Sequence, residues 1–78
     1  MTDYTPIDCG LYSEYELAIM HQRSVQLTWH DADGTVHIGS CKPLDLRARQ
    51  GEEFMLVRDA AGMEQEIRLD YIMRYNPL

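Results

Sequence analysis

Val25-Gln26-Leu27-Thr28-Trp29-His30-Asp31-Ala32-Asp33-Gly34-Thr35-Val36-His37-Ile38 is the stretch that decides the fold. Its apolar residues recur every second position: Val25, Leu27 and Trp29 alternate with Gln26, Thr28 and His30, then Val36 and Ile38 alternate with Thr35 and His37. A period of two is the mark of a strand with one buried face. Asp33-Gly34 is a favoured central pair for a type I′ turn, so the two runs are expected to fold back as a β-hairpin. A register with Ala32 opposite Thr35 sets Trp29 against Ile38 and Leu27 against Ser40, bringing the apolar faces together.

Downstream the strand signal continues. Leu44 and Leu46 alternate, but Pro43 has no N–H to give a sheet, so residues 42–47 are expected to form a bend or an edge continuation. Phe54-Met55-Leu56-Val57-Arg58 reads as a strand, Ala61-Gly62 as a turn, and Glu66-Ile67-Arg68-Leu69 as a further strand. Asp70 opens a tight link to a last strand near Tyr71 to Tyr75. Trp29 and Phe54 are the expected aromatic core.

Upstream, Tyr4-Thr5-Pro6-Ile7-Asp8-Cys9-Gly10 lacks a helical period, and Pro6 biases Thr5 toward extended backbone. An irregular arm over residues 1–12 is expected. Ser13-Glu14-Tyr15-Glu16 has the form of a capping box, with Tyr12 and Leu17 placed for a hydrophobic staple, which predicts a helix over about 14–22. Tyr15, Ala18 and Ile19 then face the core with Tyr12 one turn back, while Glu14 and Leu17 look outward. Both glutamates fall in the first turn of such a helix, where the helix dipole favours negative charge.

One helix and five short antiparallel strands from about 24 to 75 make a mainly β, α+β domain spanning residues 1–78. A sheet of that size in so short a chain leaves exposed edges unless it curls, so a small closed or nearly closed barrel capped by the helix is expected. With 78 residues, burial on folding reaches only about 60% of the unfolded surface, so stability is expected to be modest.

Composition narrows the function. No stretch approaches the roughly 20 apolar residues of a membrane span, and Met1-Thr2-Asp3-Tyr4 lacks the features of a secretory signal, which points to the cytoplasm. Cys9 and Cys41 are far apart and form no C-x-x-C pair, so both are read as reduced. The net charge of −6 opposes binding to phosphate backbones and suits a basic partner. That charge is concentrated: residues 1 to 22 carry Asp3, Asp8, Glu14 and Glu16 with no Lys or Arg, whereas the remainder carries nine acids against seven basic residues. The acid-only stretch is therefore the expected contact surface.

Catalytic chemistry is not indicated. There is no G-x-S-x-G, no cysteine set beside a histidine in a known motif and no phosphate-cradling loop. His30 and His37 become cross-strand neighbours in the hairpin register above, but no third metal ligand is evident, and His21 stands apart. Glu52-Glu53 and Glu64 with Glu66 flank turns, where solvated charges are ordinary. The tyrosines sit in no basic groove of the kind that stacks single-stranded bases. The expectation is a binding protein with no cofactor and no metal, not an enzyme.

Tyr4, Pro6-Ile7-Asp8-Cys9, Tyr12 and Glu16-Leu17-Ala18, followed by Ala60-Ala61-Gly62 and Arg68-Leu69-Asp70, form a pattern that resembles the Rho-binding antiterminator family, Rof or YaeO, over nearly the whole chain. The resemblance implies an Sm-like barrel of five strands with an N-terminal helix. It implies binding to the bacterial transcription termination factor Rho at or beside its primary RNA-binding site, so that RNA cannot load and termination is inhibited. The partner-binding residues it implies here are Asp8, Ser13, Glu14 and Glu16, with Tyr12 and Leu17 as apolar contacts. Position 13 is serine where the family is expected to have aspartate, which removes a charge while keeping a good N-cap. The free chain is expected to be a monomer with no direct affinity for nucleic acid. The alternative is an Sm-like RNA-binding module, and an alternative contact surface is the set of turn acids Asp31, Asp33, Glu52 and Glu53.

Overall fold

The computed structural model describes residues 3–78, so the first two residues of the expected arm lie outside the described residues. Helix α1 (Cys9–Met20) precedes five strands: β1 (Val25–His30), β2 (Val36–Arg49), β3 (Glu52–Asp59), β4 (Glu64–Arg68) and, after a 3-10 turn at Leu69–Tyr71, β5 (Ile72–Pro77). They form one antiparallel sheet in the order β4-β3-β2-β1-β5. The sheet is not closed. β4 and β5 are its edges, with no ladder joining them among the described residues, so the expected barrel is an open, bent sheet.

The bend lies in β2. Its first part pairs with β1 and its second with β3, and the register with β3 shifts between Pro43 and Asp45. An extra residue in one strand of a pair kinks that strand and strengthens its twist, and Pro43 sits at this bulge where β2 pairs with β3 alone, so its missing N–H costs no ladder with β1. The bend or edge continuation expected at residues 42–47 is what forms: the strand bends at the register shift, and beyond Cys41 β3 alone among the described strands pairs with it.

The hairpin between β1 and β2 forms, but one residue out of the expected register. Trp29 lies opposite His37 and Leu27 opposite Gly39. The cause is the loop. Asp31 C=O accepts from Gly34 N–H at 3.0 Å, Asp31 N–H donates to Thr35 C=O at 3.0 Å, and Gly34 has φ +89°. This is a type I turn closed by a left-handed glycine, a three-residue loop, rather than a two-residue I′ turn. Because strand side chains alternate, the slip turns Val36 and Ile38 outward, where they are 52% and 68% exposed. His37 takes the Trp29 side of the hairpin instead, still exposed, and stacks on that ring with centroids 5.4 Å apart. Asp59-Ala60-Ala61-Gly62-Met63 repeats the same loop between β3 and β4, with Gly62 at φ +86°. The I′ geometry occurs at Gln50 and Gly51, whose φ values are +52° and +78°.

The core joins Tyr15 and Ala18 of α1 to Val25, Leu27, Cys41, Met55, Val57, Ile67 and Leu69. Trp29 is half-buried and packs against this core, whereas Phe54, also half-buried, departs from its expected core role. Phe54 is capped by the Arg49 guanidinium, 4.1 Å above its ring. Cys41 is buried and Cys9 is exposed.

Candidate functional site

Helix α1 starts five residues earlier than the capping-box reading places it. Asp8 is the N-cap: its Oδ2 accepts from Gly10 N–H at 2.9 Å and Leu11 N–H at 3.2 Å. A Cβ at Gly10 would lie 2.9 Å from that oxygen, so glycine keeps the cap close. Ser13 is consequently inside the helix and caps nothing, and neither Glu14 nor Glu16 sits in the first turn. Position 13 is not the helix cap, so serine there changes surface charge alone. Beyond Met20 and the C-cap His21, Gln22 has φ +53°, with Gln22 N–H donating to Ile19 C=O and Arg23 N–H to Ala18 C=O, the Schellman arrangement with glutamine in the usual glycine position.

The arm that leads into α1 is tied down by β4 and the 3-10 turn. Arg68 forks onto Asp70, Nε to Oδ1 at 2.7 Å and Nη2 to Oδ2 at 2.8 Å, and both side chains are nearly buried. Asp70 Oδ2 also accepts from Thr5 N–H at 3.0 Å, and Arg68 Nη1 reaches Asp3 at 2.9 Å. The Tyr4 hydroxyl donates to Glu53 at 3.2 Å. Burial, followed by the Glu53 charge, pushes the Tyr4 and Tyr12 phenols above their ordinary range. For Asp70, burial opposes ionisation, but the hydrogen bonds from Arg68 and Thr5 outweigh it and hold its pKa below the usual value. Arg68, Asp70 and Glu53 thus position the site. Only the Arg68-Leu69-Asp70 motif signalled two of them in the sequence.

The six sequence-predicted contact residues divide by geometry. Asp8 is engaged as the cap, and Tyr12 is half-buried with its hydroxyl at Glu53. Ser13, Glu16 and Leu17 share the outward face of α1 with Met20, and Leu17 and Met20 are 50% and 70% exposed. Glu14 is exposed on another flank, in a depression shared with Leu17, His21, Arg23 and Tyr75.

Charge pairing separates Glu14 and Glu16 from every other carboxylate. Asp3, Glu52 and Asp70 meet Arg68; Asp31 meets His37; Asp45 meets Arg47; Glu64 meets Arg58; Glu66 meets Arg47 and Arg49. Asp33 and Asp59 hold their turns, Asp8 its helix and Glu53 its tyrosine. Among the described residues, Glu14 and Glu16 have neither an ion pair nor a hydrogen bond to their carboxylates. The alternative surface fares differently, since Asp31, Asp33, Glu52 and Glu53 all have intramolecular partners.

The observed register also dissolves the histidine pair. His37 faces Trp29 and bonds Asp31 at 2.8 Å, whereas His30 lies on the other side of β1 against Tyr71, with centroids 4.5 Å apart. No group of three or more His, Cys, Asp or Glu arranged for a metal occurs among the described residues. No helix among the described residues is long and apolar enough to cross a membrane.

No protein-family model matches the sequence. Two relatives do: Protein rof of Escherichia coli (strain K12) and Protein rof of Shigella flexneri, each 34% identical over 73 residues that cover 94% of this chain and 81% of theirs.

Proposed function

The chain belongs to the Rof family, and on that premise we propose that it binds transcription termination factor Rho in the bacterial cytoplasm. Binding inhibits Rho-dependent termination by keeping RNA from Rho's primary RNA-binding site. The observation that carries this reading is the pair of unneutralised carboxylates, Glu14 and Glu16, on the exposed part of α1. A protein surface that binds RNA is rich in Lys and Arg, because its affinity comes largely from phosphate contacts. An acidic helix whose Glu14 and Glu16 have no partner among the described residues is suited to occupy such a surface in place of RNA. Leu17 and Met20 beside them supply apolar area that gains from being covered. An N-terminal helix followed by five antiparallel strands is the element set that an Sm-like domain requires, which supports the family's implied fold.

The test is binding of the purified chain to Rho, with RNA loading measured in parallel. Complementary charge raises the association rate, and salt weakens it as the Debye length falls from about 10 Å at 0.1 M to about 3 Å at 1 M. Wild-type protein is expected to bind at low salt and to reduce RNA loading, and Glu14→Lys and Glu16→Lys to bind less well with folding intact. Since Glu16 belongs to no capping box, its reversal is a clean probe. Absence of binding at micromolar concentration and low salt overturns the reading. Direct shifting of RNA by the isolated chain favours the RNA-binding module instead.

A further inference from the structure

Between α1 and the corner of β2 lies a depression of about 380 Å³ lined by Tyr12, Glu16, Ile19, Met20, Asp45 and Leu46. Four of these are apolar or aromatic, and two are carboxylates from different elements. Glu16 comes from the helix with no partner among the described residues. Asp45 comes from the strand, immediately after the register shift at Pro43–Asp45, and such shifts re-aim side chains. Asp45 Oδ1 accepts from Leu46 N–H at 2.9 Å, which leaves Oδ2 with a long contact to Arg47 Nε at 3.5 Å, and both side chains are about half exposed. Arg47 has a second acceptor in Glu66 at 3.4 Å, so Asp45 Oδ2 can take another donor without stranding a cation.

We infer that this slot takes a single arginine side chain presented by a partner, with its aliphatic stem over Leu46, Ile19 and Met20 and its guanidinium between Glu16 and Asp45. The inference rests on the binding reading above and specifies the chemistry of one part of that surface. An arginine stem covers apolar area while its head stays polar, which matches an apolar floor under an acidic rim. A planar guanidinium with five donors can serve two carboxylates at once, whereas a lysine ammonium acts as a point charge. The depression on the other flank of α1, beside Glu14, contains Arg23 and so offers no comparable charge match.

The test has two arms. In the first, the isotopically labelled full chain is titrated by NMR with N-acetyl-arginine methylamide, and separately with the blocked lysine and norleucine analogues. Arginine is expected to bind most tightly and to shift resonances of Tyr12, Glu16, Met20, Asp45 and Leu46. Asp45→Asn and Glu16→Gln are each expected to weaken it by about two- to fivefold, as for exposed ion pairs. Asn keeps an acceptor for the Leu46 N–H that Asp45 Oδ1 now holds at 2.9 Å, so the backbone is preserved. Shifts centred elsewhere, lysine or norleucine binding as tightly, or variants that match wild type overturn the inference. In the second arm, Asp45→Asn is expected to weaken Rho binding by a similar factor. Equal binding of wild type and variant overturns the slot while leaving the Rho reading standing. If wild type does not bind Rho at all, the Rho reading fails, and the arginine titration alone judges the slot.

Discussion

Replacing Tyr15 with phenylalanine is expected to stabilise this protein. Tyr15 is fully buried, its ring meets Tyr75 edge-on at 5.1 Å between centroids, and its hydroxyl has no hydrogen-bond partner among the described residues. A buried hydroxyl without a partner loses its hydration and gains nothing in return, a cost of about 1–3 kcal/mol. Phenylalanine keeps the ring and its contact, and the small void left by the oxygen offsets part of the gain. The net expectation at pH 7 is about 1 kcal/mol of added stability, a rise in Tm of about 4–8 °C for a domain of this size. The difference should widen with pH. Burial, then the neighbouring Tyr75 and Glu14, push the Tyr15 phenol from 10.0 up to about 12. A folded-state pKa above the unfolded value gives stability that is complete below pH 10 and is lost as pH rises toward 12, because the unfolded tyrosine ionises first. Phenylalanine has no such loss, so the variant's advantage should grow by on the order of 1 kcal/mol at pH 11, with solvent screening allowed for. Urea unfolding of both proteins at pH 7 and pH 11 measures this directly. A variant less stable than wild type at pH 7 by more than about 0.5 kcal/mol would show that the hydroxyl has a partner, and would refute the reasoning.

The remaining predictions concern caps and the arm. Asp8→Ala should cost about 1 kcal/mol, whereas Ser13→Ala should change stability by less than about 0.5 kcal/mol; thermal unfolding of the two variants decides which residue caps α1. Gln22→Gly should add about 0.5–1 kcal/mol by relieving the left-handed conformation at the helix end, read by the shift in urea midpoint. Asp70→Asn should lose about 1.5–3 kcal/mol, because an amide cannot hold both Arg68 and Thr5 as the carboxylate does. Since the folded-state pKa of Asp70 is depressed, its contribution is present above about pH 4 and fades as pH falls below that, so the variant's acid-unfolding curve should be flatter there.

The strands were legible because their apolar pattern is local: Val25, Leu27 and Ile67 are buried where alternation puts them, and Met55 and Val57 are buried within the continuous apolar run of β3. The hairpin register was not, because Asp-Gly is compatible with two loops that differ by one residue. The deciding detail is Asp31, which lies at the first position of a type I turn, where aspartate is favoured, with Gly34 three residues on. Asp31 and Asp33 both bond the Thr35 N–H through their side chains, at 3.2 Å and 2.9 Å. Asp59-Ala60-Ala61-Gly62 has the same spacing and forms the same loop. Comparing the two segments would have favoured the three-residue form at both, and with it the outward placement of Val36 and Ile38.

At the start of α1 a local motif yields to tertiary contacts, and the shift changes the site. Asp8 and Ser13 both carry a good capping group, so local chemistry alone does not choose between them. Capping at Asp8 adds five residues to the helix and brings Leu11 and Tyr12 against the core, with Tyr12 reaching the Glu53 that also holds Tyr4. Packing of this kind outweighs a second cap. Its consequence is that Glu14 and Glu16 lie beyond the first turn, so they forgo the roughly 0.3–1 kcal/mol that the helix dipole gives to exposed first-turn acids. A capping role is the competing structural explanation for Glu16, and the longer helix removes it. Two carboxylates that cap nothing, pair with no cation among the described residues and lie beside exposed Leu17 and Met20 draw no support from the fold itself. Under the proposed function, contact with a basic partner would give them a physical purpose, and Glu16→Lys becomes a test of binding that leaves the helix start untouched.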